Sequence, residues 1–268
     1  MSALAVFGDR YADRDSAVHR ADARVKLPAT LLFIFAISLT PEGAWGTLAL
    51  LLAPILAVML AARLGPVFML RRSILALPFV AAAVPLVFTR PGEVIFVTPF
   101  LGWDVSREGV EAVATIMAKS WLSVLAAVLL TASTPIVETL RALRTLRLPR
   151  LLVATVFFTY RYFFVIGDEA VRLMRARDSR SAALPGMHAG GTVWWRASIL
   201  GHMVGSLFAR SLDRSERVHA AMQARGFAGE LRFLDTPAVR GVEVAIAACL
   251  VAYGFAVQLA DRLAWGLA

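Results

Sequence analysis

Five apolar runs, separated by polar or turn-forming stretches, organise the chain. They cover Val25 to Leu39, Ala44 to Ala62, Ser73 to Thr89, Val110 to Thr131 and Gly241 to Ala260. Thr40-Pro41-Glu42-Gly43 ends the first run, Arg63 stops the second, and Arg71-Arg72 lead into the third. A polar loop at about 90–109, with Pro91, Gly92, Pro99 and Gly102, precedes the fourth. A helix needs about 20 residues to cross the hydrocarbon core. The first and third runs are shorter than that and must borrow flanking residues. Pro54, Pro78 and Pro85 fall inside runs, and the kinks they bring are tolerated where neighbouring helices take up the freed carbonyls. The pattern predicts an all-α polytopic membrane helix bundle of about five spans, six at most. The sixth candidate is Leu151 to Ile166, apolar except for Arg161 near its middle. It reads as a long helix buried against the bundle.

Between the fourth and fifth runs the pattern becomes amphipathic. Arg141, Arg144 and Arg147 alternate with Leu140, Leu143, Leu146 and Leu148 up to Pro149, giving a helix with one charged and one apolar face. Ile199, Leu200, Met203, Val204, Leu207 and Phe208 define a second such helix, and Arg210 to Arg225 a third, for which Gly226 is a well-placed stop. Leu184-Pro185-Gly186 and Gly190-Gly191 mark a loop. Helices of this kind lie on a membrane surface or serve as docking rods for a soluble partner. The resulting organisation is a polar N-terminal segment 1–24, a four-span bundle 25–133, an arginine-rich region 134–240 and a last span 241–268.

Composition sharpens this picture. Of 268 residues, 59% are hydrophobic, and the mean hydropathy is +0.68. Soluble domains hold about 45–50% apolar residues, so a soluble enzyme and a disordered chain are both excluded. Cys249 is the only cysteine, which rules out an intramolecular disulfide framework. The net charge is +9, and residues 141–240 carry all of it, with 16 Arg and no Lys against 7 acidic residues. The positive-inside rule puts such a block in the cytoplasm, and with it the N-terminus. Nucleic acid is not an expected partner, because the block lies between membrane segments. The polar, mixed-charge start predicts no cleaved signal peptide.

The chemistry that is missing narrows the function. GxxxxGK[ST] and GxSxG have no match, and His19, His188, His202 and His219 show no metal-ligand spacing. Acids are scarce within the runs, and Glu111 and Glu243 sit at their ends, whereas an ion path usually shows a mid-span acid. No catalytic residue, metal site or cofactor is expected. The pattern is that of a membrane scaffold coupled to something else.

Two segments carry a more specific signal. His19-Arg20-Ala21-Asp22-Ala23-Arg24-Val25-Lys26-Leu27 resembles the entry segment of the transmembrane T component of energy-coupling-factor transporters, with Ala21 and Ala23 in place of the usual Leu and Pro. The block 149–227, with TYRYFFVIGDEA and RSLDRSERVHAAMQARGF, is similar to the cobalt subgroup of that family, the CbiQ-like proteins. That family carries two Ala-Arg-Gly-type motifs on cytoplasmic coupling helices. The second stands intact as Ala224-Arg225-Gly226; the first aligns with Ser179-Arg180-Ser181, and Ala176-Arg177 is a competing alignment.

The resemblance implies a non-catalytic energy-coupling subunit in the bacterial inner membrane. Its partners would be two ATP-binding cassette ATPase subunits that hydrolyse the ATP, a metal-binding, CbiM-like capture subunit in the membrane, and a small accessory membrane subunit. Co²⁺ is the implied substrate, bound by the capture subunit. The same scaffold serving nickel or a vitamin is the near alternative, and a membrane-embedded enzyme with its basic helices on anionic lipid is the distant one.

Overall fold

The computed structural model describes residues 16–74, 77–97, 104–146, 148–180, 192–229 and 238–266. Its helices are α1 (Ala17–Arg20), α2 (Ala23–Ser38), α3 (Trp45–Ala61), α4 (Pro66–Ser73), α5 (Leu77–Ala83), α6 (Leu86–Thr89), α7 (Arg107–Ser133), α8 (Ile136–Thr145), α9 (Arg150–Arg180), α10 (Val193–Ala224) and α11 (Gly241–Gly266). Two short strands, β1 (Val94–Val97) and β2 (Asp104–Ser106), pair antiparallel just before α7, with Val97 opposite Asp104 and an irregularity between Val94 and Phe96. The chain divides into two compact units. Among the described residues, one holds 148–180 and 192–229, and the other holds 16–146 and 238–266.

Caps set the helix starts. The Asp22 side chain accepts from the Arg24 N–H at 2.8 Å to open α2, and the Ser106 hydroxyl accepts from the Gly109 N–H at 3.1 Å to open α7. Pro66 opens α4 at the first-turn position where its missing N–H costs nothing. Gly43, with φ +78°, makes the tight turn between α2 and α3.

In the second unit α7 is the central element, packing on α2, α3, α4, α5 and α6. The core gathers Phe33, Ile37, Leu51, Ile55, Met69, Leu122, Leu125 and Leu129. α11 packs on α2 and α3, and Gly254 permits this, since a Cβ there would lie 3.3 Å from the Phe33 ring.

Hydrogen bonds give the directions of the helices. The Lys26 ammonium donates to the carbonyls of Val18 and Ser133, both at 3.2 Å, and the Asp22 N–H donates to Glu243 Oε2 at 2.9 Å. The start of α2, the end of α7 and the start of α11 therefore share one end of the bundle. Toward the other end, the Gly43 N–H donates to Thr115 Oγ1 at 3.3 Å, Lys119 donates to the Thr40 carbonyl, and Gln258 Nε2 donates to the Ala36 carbonyl at 2.9 Å. α7 thus runs against α2, and α11 runs with it. Residues 134–240 leave and rejoin the bundle at the same end, so this region crosses an even number of times or not at all. Both lysines of the chain bind carbonyls at helix ends, where a compact ammonium with three donors suits convergent acceptors and meets the negative end of the dipole.

The fold is the all-α membrane bundle that the pattern predicts. Among the described residues, α7, α9 and residues 241–263 of α11 are long and apolar enough to cross a membrane, and the 17-residue α3 is a shorter apolar helix. Three details differ from the expectations. The third run is not one helix: α4 ends at Ser73, the first residue of the run, and α5 and α6 divide the rest, with Pro85 as the N-cap of α6. The loop at 90–109 contains the β1–β2 ribbon, and α7 already begins at Arg107. The segment 151–166 belongs to a helix of 31 residues, but it is not buried. Val153 and Ala154 are covered while Leu151 is 71% exposed and Phe163 49%. Its apolar residues lie on several faces, more than one stripe of packing can cover.

Pro54 shows how the bundle absorbs a proline. Residue 54 cannot donate to the Leu50 carbonyl four residues earlier. The Tyr253 hydroxyl of α11 donates to that carbonyl instead, at 3.1 Å. Tyr253→Phe leaves a carbonyl without a donor and is expected to cost about 1–3 kcal/mol, read as a lower unfolding temperature in detergent. Pro54→Ala in the Tyr253→Phe background restores the backbone donor and recovers most of the loss. Additive losses in the double variant would count against this pairing.

Candidate coupling site

The first unit contains α9 and α10, which touch each other. On α10, Ile199, Met203, Leu207, Ser211, Arg214, Val218 and Met222 form a half-buried stripe at three- and four-residue spacing, while the intervening residues are exposed. The two amphipathic helices expected at 199–208 and 210–225 are therefore one continuous helix. Thr192 caps it, accepting from the Trp195 N–H at 3.3 Å.

Two contacts fix how the helices meet. The Glu169 carboxylate accepts from Arg210 Nη1 at 3.1 Å and also from Arg172 on its own helix. The Phe158 and Phe227 rings meet edge to face at 6.2 Å. Phe158 precedes Glu169 while Phe227 follows Arg210, so the helices run in opposite directions. A groove of about 460 Å³ lies between them, lined by Tyr162, Ile166, Phe208 and Met222 among others. Neither bridging contact was legible from spacing alone. The one available signal was an acid, Glu169, on the otherwise apolar and basic face of its helix.

The antiparallel arrangement puts the C-termini of α9 and α10 at opposite ends of the pair. Arg180 lies 11 residues beyond Glu169, about 16 Å along α9. Arg225 lies 15 residues beyond Arg210, about 22 Å the other way.

The described motif residues each have a definite place. Ala224 is the last residue of α10, Arg225 is its C-cap and Gly226 follows with φ +79°. The Gly226 N–H donates to the Gln223 carbonyl at 2.9 Å and the Phe227 N–H to the Met222 carbonyl at 3.0 Å. This is a Schellman termination, which calls for a left-handed residue where glycine stands. The third motif position is thus dictated by backbone geometry, and it leaves Arg225 exposed at the helix end. At the end of α9, Ser179 and Arg180 are exposed, and the Ser179 hydroxyl donates to the Ala176 carbonyl at 2.9 Å. Ala176 is exposed and Arg177 half-buried. Ser181 lies outside the described residues.

A basic helix end of this kind has the chemistry to pair with an acidic surface. An arginine fork pairs with a carboxylate through two parallel hydrogen bonds, which fixes direction as well as distance. Among the described residues no group of three or more His, Cys, Asp or Glu side chains could hold a metal ion.

The family model for CbiQ, described as a cobalt transport protein, matches residues 14–234. The chain belongs to that family. It is 31% identical over 130 residues to the cobalt transport protein CbiQ of Rhodobacter capsulatus, a match covering 47% of this chain and half the length of that relative. Over a longer stretch, 229 residues, it is 28% identical to the energy-coupling factor transporter transmembrane protein EcfT of Bacillus selenitireducens, covering 82% of this chain and 83% of that one. A fused CbiMQ cobalt transport protein, so described as putative, from Methanocorpusculum labreanum is 25% identical over 184 residues, 65% of this chain and 29% of that one. The protein is a multi-pass, cobalt-associated transmembrane component of an energy-coupling-factor transporter.

Gly226→Ala keeps the space around the residue open, since nothing lies within 4 Å of an added Cβ, but forces an L side chain into the left-handed region. The expected cost is about 1–2 kcal/mol, confined to the last turn of α10. Hydrogen exchange at residues 222–227 reads it as faster exchange there, with the middle of α10 unchanged.

Proposed function

We propose that this chain carries work between an ATP-driven motor and a cargo-binding membrane subunit, without binding nucleotide or cargo itself. The region 134–240 faces the cytoplasm of a bacterial cell with an inner membrane, as does segment 1–24, and the helices of 25–133 and 241–268 form the embedded part. Charge supports this orientation, because the shared end of α2, α7 and α11 is where the arginine-rich region leaves and returns.

The observation that carries the reading is the antiparallel α9–α10 pair, with one arginine-bearing helix end at each extremity. Two ATPase subunits related by an approximate twofold would each receive one end, Ser179-Arg180-Ser181 on one side and Ala224-Arg225-Gly226 on the other. Arg180 is the better candidate than Arg177, which is half-buried. Closing of the ATPases on nucleotide would draw the two ends together. The pair would pass that motion to the bundle and to a metal-binding, CbiM-like capture subunit, assisted by a small accessory membrane subunit, so that substrate is released inside. Co²⁺ is the favoured cargo, supported by the CbiQ relative and by the fused CbiMQ relative, whose name joins the two components in one chain. EcfT relatives match over more of the chain, so a scaffold serving nickel or a vitamin is the alternative. Co-purification of the capture subunit decides between them.

Arg180→Glu and Arg225→Glu each place an acid against an acidic dock. Losing one partner of such a buried pair costs about 3–5 kcal/mol. The double variant is expected to insert and extract from membranes normally, to lose the co-purifying ATPases, and to abolish uptake in cells. Normal assembly and uptake in that variant would overturn the reading.

A further inference from the structure

A second groove, of about 810 Å³, runs along the embedded unit between α2, α3, α7 and α11, with α1 at its mouth. Its walls are almost wholly apolar. On α2 they extend from Val25 to Phe33 and on α11 from Val242 to Leu250. Eight residues of helix span about 12 Å, a little under half the roughly 30 Å of a hydrocarbon core. The groove therefore has the depth of one leaflet. It opens at the end of the bundle where α2 and α11 begin, and there its lining turns basic, with Arg20, Lys26 and Arg240 against a single acid, Glu243. Asp22 and Glu138 also face Lys26. The Lys26 ammonium is turned to the carbonyls of Val18 and Ser133, and Glu243 already accepts from the Asp22 N–H. Arg20 and Arg240 are both exposed at the rim.

We infer that this groove seats one acidic phospholipid, its acyl chain against the α2 and α11 walls and its phosphate between the Arg20 and Arg240 guanidinium groups. Guanidinium forks match phosphate oxygens, and the apolar walls distinguish a lipid from a free anion. The inference goes beyond the coupling role, and its test does not depend on the orientation proposed above.

The full chain, delipidated in detergent, is titrated with phosphatidylglycerol or phosphatidylcholine and bound lipids are counted by native mass spectrometry. Phosphatidylglycerol is expected to bind roughly tenfold more tightly. Arg20→Gln with Arg240→Gln, both surface changes, removes that preference, and Ala247→Trp, which fills the apolar wall, weakens both lipids. Equal binding of the two lipids, or a preference untouched by the arginine variants, overturns the inference. So does displacement of the lipid by inorganic phosphate at equal concentration, which would mark a free-anion site. A third arm places Ala57→Cys in a Cys249→Ser background, because Cys249 is itself exposed. Labelling by a lipid-soluble maleimide that is blocked by phosphatidylglycerol supports the inference. Labelling blocked only by co-expression of a partner membrane subunit assigns the groove to a helix of that subunit and overturns it.

Discussion

Hydrocarbon offers backbone amides and carbonyls nothing to bond, and this constraint shapes the unit built around α7. Helices meet it along most of their length. Where they cannot, particular side chains close the account: Tyr253 at the carbonyl that Pro54 abandons, Lys26 at the ends of α1 and α7, and Lys119 just past α2. Gln258 adds bonds to the Ala36 carbonyl, which also accepts from the Leu39 N–H, and to the Thr40 hydroxyl. These bonds run between helices, so the groups that satisfy the backbone also set which helices adjoin and which way each one runs.

The other unit obeys a different rule. α9 and α10 hold together through a carboxylate shared by two arginines and an edge-to-face ring pair, and much of their apolar surface is uncovered. Both arginines are largely exposed, and ion pairs at a surface contribute little, about 0–1 kcal/mol. A helix pair with so little burial between its members is suited to changing angle, whereas the packed core around α7 is suited to holding shape. A coupling element needs both properties in one chain.

Much of this was readable from the residue pattern. Apolar runs located α2, α3, α7 and α11 to within a few residues because burial in lipid demands continuous hydrophobicity. Gly226 announced the end of α10, since few residues but glycine take the left-handed cap easily; Arg63 takes the same conformation at the end of α3 with φ 54° and gives no such signal. The division of the third run was less visible, because whether Pro78 and Pro85 kink or break a helix depends on neighbours that the local sequence does not contain. The exposure of α9 was missed for a related reason. An apolar run looks the same whether it is covered by its own chain or left open. The string on α10 was plain from its residues, while on α9 the sequence left two alignments open, and burial differs between them, with Arg177 half-buried and Arg180 exposed.

The pairing of α2 with α11 carries a consequence for biogenesis. Their bonds join residues 221 and 222 positions apart, among the most non-local contacts the chain can make, and such contacts form late. While the ribosome is still working, the flank of α2 that will receive α11 has no permanent cover, and the arginine-rich helices emerge before the bundle is closed. Interim shielding of that flank, by lipid or by an insertion factor, becomes a requirement of synthesis, and α11, made after α9 and α10, is the helix that locks α2 in place.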